Sequence, residues 1–361
     1  MKRIFALILA LAMCLTLGAC KKKPQPSEPT DASTEATQQT QNEATQESAE
    51  EKEVAFRHPL TGAPLEQPWS GQLTAVVINN LKKAMPQRGI SKADIFYEVE
   101  VEGDITRCLA IFSSFDGVDV IGPVRSARTY FNSLAVSYDA PLVHCGGSQG
   151  LALAGRYGAS SDTIDNWEHI DQGSYGKYFY RDMDRYSAGY AWEHTLFTKG
   201  ESLQKAIEDT GYYTPDAKSY GLLFAENVNL NGQTANEVTV KFKSGKTTTF
   251  TFDAEKQQYK MYQHGQDHID GNTNEVVTFK NVIAIYTNQT YYSNGVHKFY
   301  DTIGTGEGYA AINGQIVPIK WSRDSLRTNY TYTLADGTPL TLDVGTTYIA
   351  LVGIKHDIAY K

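Results

Sequence analysis

Residues 95–112 read Ile-Phe-Tyr-Glu-Val-Glu-Val-Glu-Gly-Asp-Ile-Thr-Arg-Cys-Leu-Ala-Ile-Phe, and their period decides the fold class. From Ile95 to Glu102 large apolar residues alternate with carboxylates. That period of two puts Tyr97, Val99 and Val101 on one face of a strand and Glu98, Glu100 and Glu102 on the other. Gly103-Asp104 supplies a tight turn, and Thr106–Phe112 returns as an apolar strand. A two-residue turn here places Glu100 opposite Arg107.

Outward from this hairpin, Leu73–Asn79 is a second β-branched run, and Pro141–Cys145 reads as a short buried strand. Ser126–Tyr138 carries Tyr130, Leu134 and Tyr138 at helical spacing, and Gln149–Tyr157 and Glu201–Thr210 also look helical. Strands interleaved with helices predict an α/β-type sheet domain over residues 54–215. Past Gly221 the pattern becomes short strand runs, among them Val238–Phe242, Thr247–Phe252, Val276–Tyr286 and Thr347–Val352. Asn313-Gly314 and Asp336-Gly337 between such runs are hairpin signals. The expectation for 216–361 is a small antiparallel β domain, a sandwich or open barrel, which makes the chain α+β overall.

The 361 residues hold 33 Lys+Arg against 41 Asp+Glu, a net charge of −8. That balance lacks the basic footprint of a dedicated nucleic-acid binder. The acidity is uneven. Residues 24–53 contain eight acids and one lysine in a Pro, Ser, Thr, Gln and Ala background without aromatics. Such a stretch buries too little surface to offset ordering entropy, so it is expected to be a disordered acidic linker. Before it, Lys2 and Arg3 precede the apolar run Ile4–Leu17, then Leu17-Gly18-Ala19-Cys20. Basic start, short apolar core and small residues at a cut site predict a secretory signal over 1–19, too short to span a bilayer. Small residues directly before Cys20 resemble a bacterial lipoprotein signal. The resemblance implies cleavage before Cys20, acylation of its thiol, and a membrane partner reached through that anchor on the extracytoplasmic face of the cell membrane.

Cys14 leaves with such a signal, so the folded part keeps Cys108 and Cys145. Both sit in apolar runs and read either as buried small hydrophobes or as a disulfide, whose geometry sequence does not set.

A set of short strings then points to one family: Pro86-Gln87-Arg88-Gly89, Ala93-Asp94-Ile95, Thr106-Arg107, Gly122-Pro123-Val124-Arg125-Ser126-Ala127-Arg128, His144-Cys145-Gly146-Gly147-Ser148, Ile164-Asp165-Asn166 and Tyr180-Arg181-Asp182. With these the chain resembles the YerB family of bacterial lipoproteins over most of residues 57–352, the Gly-Pro-Val-Arg-Ser-Ala-Arg string being the most specific part. It departs from the family at Asn79-Asn80, where Asp-Asn is usual, and at Glu193-His194-Thr195, where Pro-His-Asn is usual. The resemblance implies an architecture and an address. It implies no reaction, because the family's domain has no assigned function.

The candidate site is read from the residues. Gly122–Ser126 precedes helical spacing, so its amides are expected to open a helix whose positive end attracts an anion. Arg125 and Arg128, three apart, share a face there, and guanidinium forks suit carboxylate or phosphate. The second strand-to-helix turn, His144 to Ser148, adds Gly146, Gly147 and Ser148, and Ser126 and Arg107 complete the expected ligand set. The expected ligand is an anionic component of the envelope: peptidoglycan, a teichoic polymer or a partner protein. The alternative for these arginines is internal pairing with Asp94, Glu98 or Glu102. The alternative function is a hydrolase of glycan or phosphodiester bonds, with His144 or His194 as acid/base and Glu98 or Glu102 assisting. No Gly-x-Ser-x-Gly turn accompanies them, so whether the protein is an enzyme stays open. His264 and His268 sit in a strand-and-turn setting that does not make a helical metal pair; no metal or cofactor is expected. Aromatics crowd 167–192: Trp167, Tyr175, Tyr178, Phe179, Tyr180, Tyr186, Tyr190 and Trp192. They read either as a sugar-stacking surface or as packing over the domain edge.

Overall fold

The computed structural model describes residues 55–147, 168–212, 219–292, 295–353 and 358–361. The expected hairpin forms, with Ile95–Glu100 antiparallel to Thr106–Phe112, but its register differs by one. Glu100 faces Thr106, and Val99 faces Arg107. The reversal takes residues 101–105, closed by Val101 N donating to Ile105 O at 2.8 Å, with Gly103 and Asp104 both at positive φ. Because strand side chains alternate, this one-residue slip moves Arg107 to the face opposite Glu100.

Around the hairpin grows an eleven-stranded mixed sheet. Its order is Gln233–Thr234, Gln315–Arg323, Gly304–Ile312, Asn281–Thr287, Thr347–Gly353, Ile95–Glu100, Thr106–Phe112, Thr74–Asn79, Leu142–His144 and His169–Asp171, with Thr331–Thr333 also pairing on Gln315–Arg323. Thr347–Gly353 lies parallel to Asn281–Thr287 on one side and to Ile95–Glu100 on the other. All seven of its residues are buried. A strand apolar on both faces needs cover above and below, which an interior position supplies.

One face of this sheet carries the helix Thr129–Ser137, whose Tyr130, Phe131, Leu134 and Ala135 pack with Val77, Val99, Leu109 and Tyr300. Against the other face lies a second, antiparallel sheet built from Glu237–Lys241, Thr247–Asp253, Gln258–Gln263, Gln266–Asp267, Thr278–Phe279 and Ile358–Tyr360. Its Val240, Phe250, Met261 and Phe279 join Phe96, Ala110, Tyr348 and Ala350 in one core. The Phe250 and Tyr348 rings are 4.6 Å apart.

The protein is α+β in the expected sense, with strand predominating and no closed barrel among the described residues. The antiparallel ladder expected after residue 216 is present as this second sheet. Of the other C-terminal strands, Gln233–Thr234, Asn281–Thr287, Gly304–Ile312, Gln315–Arg323, Thr331–Thr333 and Thr347–Gly353 enter the main sheet, which runs across the 215/216 boundary, while Leu223–Ala225 with Thr341–Asp343 and Gln289–Tyr291 with Lys298–Tyr300 form two small ladders of their own. Among the described residues no helix is long and apolar enough to cross a membrane.

Candidate functional site at the Arg-rich end of the sheet

The helix begins at Thr129 with Arg128 as its N-cap, so the expected helix start at Gly122–Ser126 is corrected. Residues 122–128 instead run across the end of Thr74–Asn79 and form extended bridges, Ile78 with Val124 and Ala127 with Gly147. Their amides are consumed there: Val124 N donates to Leu196 O at 2.8 Å, Arg125 N to Val77 O at 3.0 Å and Ala127 N to Gly146 O at 3.0 Å. Gly146 N donates to Asp171 Oδ1 at 2.7 Å. The amides of Val124, Arg125, Ala127 and Gly146 are therefore not free to cradle an anion, and Ser148 lies outside the described residues. Helical spacing at Tyr130 and Leu134 marks the body of a helix and leaves its first turn undetermined.

The arginines do converge. Arg128 grips Glu102 with both sides of its fork, Nε donating to Oε2 at 2.9 Å and Nη2 to Oε1. Arg107, only 4 % exposed, donates from Nη1 to Ser126 O at 2.9 Å, with Nη2 3.6 Å from Glu102. Arg125 reaches Glu193 at 3.3 Å, a carboxylate 52 % exposed to solvent. The Nε atoms of Arg107 and Arg125 are buried and have no hydrogen-bond partner among the described residues. Burial, reinforced by the Arg125 guanidinium, pushes Arg107 down to about 10. Of the internal partners expected for these arginines, Glu102 is the one taken; Asp94 accepts instead from Ser113 N at 2.7 Å.

The histidines occupy separate arrangements. His144 Nδ1 lies 2.8 Å from Gly146 O and 3.3 Å from Asp171 Oδ1; both are acceptors, so this nitrogen carries the proton. His144 Nε2 therefore accepts from His169 Nδ1 at 2.9 Å. Burial and the neighbouring His144 ring hold His169 at about 4, a neutral imidazole at physiological pH. His194 Nδ1 accepts from Asn79 Nδ2 at 2.9 Å. Burial lowers His194 too; Glu193 opposes the shift, and Arg125, Arg185 and Lys83 add to it. Among the described residues no hydrogen bond or ion pair joins His144 to His194, or either to Glu98 or Glu102.

Glu98 and Glu100 are buried, and among the described residues lysines, not the arginines, pair with them. Glu98 is fully buried beneath the second sheet, accepting from Lys246 Nζ, from Thr106 at 2.6 Å and from Thr248 and Tyr348 at 2.8 Å each. Burial alone would raise its carboxyl; the Lys246 ammonium outweighs that and holds it below its usual range. Glu100 pairs with Lys298 at 3.0 Å and accepts from Ser244 N at 2.6 Å. Lys246 and Lys298 escaped sequence reasoning because they come from segments remote in the chain, the first from the turn before Thr247–Asp253 and the second from the strand Lys298–Tyr300. Cys108 and Cys145 are free thiols, the first buried and the second half-buried.

Such a mixed sheet, clamped between a helix and a smaller antiparallel sheet, with ion pairs tying early strands to late ones, defines an α+β protein of two co-folded segments. Comparison with known proteins falls on the same two segments. Residues 60–213 match the model described as "Protein of unknown function (DUF3048) N-terminal domain", and residues 238–349 match the DUF3048 C-terminal domain. "Putative lipoprotein YerB" of Bacillus subtilis (strain 168) is 31 % identical over 285 residues, covering 73 % of this chain and 81 % of that protein. The crystal structure of YerB protein from Bacillus subtilis matches with a TM-score of 0.69 at 28 % identity, over 82 % of this chain and 96 % of that one. The chain belongs to the YerB family, with both DUF3048 domains.

Proposed function

We propose that this protein is a lipoprotein anchored through Cys20 on the extracytoplasmic face of the membrane, and that its folded head binds an anionic envelope polymer, peptidoglycan or teichoic, at Arg125. Support for the address comes from the basic, apolar and small-residue order of residues 1–20, the acidic linker 24–53, and a relative that bears the name lipoprotein.

The ligand reading rests on the Arg125–Glu193 pair. Its carboxylate is half exposed, and beside it stands the nearly buried Arg107 guanidinium. An exposed ion pair contributes about 1 kcal/mol or less, so an external carboxylate or phosphate displaces Glu193 at small cost. Fork geometry then favours two-point binding to the incoming group. Arg128, already held at two points by Glu102, and His144, tied into its own pair, position the site from behind. The hydrolase alternative has no such support, since Glu98 is committed to Lys246 and Glu102 to Arg128.

Sedimentation of the purified protein with cell-wall sacculi, with and without teichoic polymer and over a salt series, tests this. Binding is expected to weaken with salt, to fall about tenfold in Arg125→Ala, the loss of ~1.4 kcal/mol, and to tighten in Glu193→Gln. In cells, Cys20→Ala is expected to leave the membrane fraction. Salt-independent pelleting, or an unchanged Arg125→Ala, overturns the ligand reading.

A further inference from the structure

We infer that the Arg125 site continues onto an aromatic shelf, Trp192 and Tyr186, that stacks sugar rings, so that its ligand is an anionic glycan and not a sugar-free polyanion. This rests on the reading of Arg125 as an anion site.

The structure sorts the aromatics of this region. Tyr178 is buried, and Tyr175, Phe179, Tyr180 and Tyr190 are half-buried. Trp192 and Tyr186 stand out at 52 % and 50 % exposure, with Met183 beside Tyr186 on one short helix at 52 %. Their rings meet edge to face with centroids 5.5 Å apart. Exposed rings on a mobile loop would signify little, but this surface is fixed from below. The Arg181 guanidinium lies 4.6 Å over the Trp192 ring and donates to Trp192 O at 2.7 Å. Thr195 Oγ1 donates to the same carbonyl at 2.8 Å, and His194 accepts from Asn79. Beneath Tyr186, the helix Met183–Ser187 is capped by Asp182, and the buried Arg185 donates to Ala84 O at 3.0 Å. Two large rings held in place bind without a large ordering cost.

Size and charge choose the ligand. Two rings and a methionine fall far short of the roughly 800 Å² per partner that a stable protein interface buries. They match the C–H face of one or two sugar rings. Trp192 precedes Glu193, the carboxylate that Arg125 holds, and the Arg181 guanidinium that backs the Trp192 ring lies near enough to Arg125 for the two charges to act on each other, which brings shelf and anion site into one neighbourhood. A sugar lying on the indole face opposite Arg181 thus presents an acidic substituent toward Arg125.

Three probes separate the possibilities, each measured with the full chain in detergent: polygalacturonate, which carries both sugar and charge; dextran, which carries sugar alone; and polyphosphate, which carries charge alone. Polygalacturonate should bind more tightly than either of the others. Trp192→Ala together with Tyr186→Ala should weaken polygalacturonate at least tenfold and leave polyphosphate within twofold, with the unfolding transition unchanged. Trp192→Phe should restore part of the loss. Arg125→Ala should weaken both polyanions. If the double variant binds polygalacturonate normally, or loses both polyanions equally, the shelf inference fails while an effect of Arg125→Ala keeps the anion site. If the unaltered protein binds none of the three, the reading of Arg125 fails, and the shelf with it.

Discussion

Glu98 shows how a single residue can belong to both halves of a chain. It sits on an early strand, has no solvent exposure, and among the described residues takes its only opposing charge from Lys246 in the later half. Removing one partner of a buried pair strands the other, which costs about 3–5 kcal/mol. Glu98→Gln should therefore lower stability by about that much, and Glu98→Gln with Lys246→Met by clearly less, in a denaturant double-mutant cycle. A loss in the double variant equal to the sum of the two single losses would mean the pair is not coupled. The buried imidazoles set a pH dependence of known sign. Burial, with the Lys246 ammonium, holds His268 at about 3, and burial with His144 holds His169 at about 4, against a free value of 6.5. Below that free value the unfolded chain binds protons that the folded one refuses, so stability is full above it and falls as pH drops toward the folded values. The urea midpoint should decline steadily between pH 6.5 and about 4.5, and less steeply in His268→Gln; a flat profile would contradict both assignments. The sequence singled out Glu98, Arg107, Arg125 and Arg128 as a charged cluster, but not how they divide. A register one residue different sent Arg107 to Glu102's side and left Glu98 and Glu100 facing lysines that no local pattern could announce.

Among the elements, the central strands were legible because alternation and β-branching mark them wherever they pair. Their neighbours were not legible, because Asn281–Thr287 and Thr347–Gly353 are apolar on both faces and any interior position would satisfy them. The closeness of one such pairing is testable at Gly308, where a Cβ would come within 2.3 Å of Ala284 O on the adjacent strand. Gly308→Ala should cost about 1–3 kcal/mol by forcing two central strands apart. A thermal midpoint equal to that of the unaltered protein would show that the sheet yields there. The start of the helix was misjudged for a comparable reason: side-chain spacing reports the face a helix buries, whereas its first turn depends on which carbonyls the preceding amides find. Val77, Leu196 and Gly146 supplied them from three different segments.

At the scale of the molecule, the late strand Thr347–Gly353 is the parallel partner of the early strand Ile95–Glu100, and the two sequence segments share a sheet. Residues 54–215 expressed alone would leave Ile95–Glu100 with an open edge and Glu98 and Glu100 without their lysines. The fragment should show no cooperative unfolding transition, while the whole chain should show a single one in calorimetry and denaturant. Two independent transitions in the whole chain would refute the shared sheet as one cooperative unit.

Sequence by itself determined the class of the fold, the identity of most strands, and the resemblance through which the chain joins its family. These follow from local chemistry: period, composition and short strings act over neighbouring residues. Only the tertiary structure decided which strands are adjacent, which carboxylates are buried, and that Arg125 is a half-buried arginine paired with the exposed Glu193 and not part of a helix start. Those outcomes depend on which partner fills a face or neutralises a charge, and the partner comes from elsewhere in the chain.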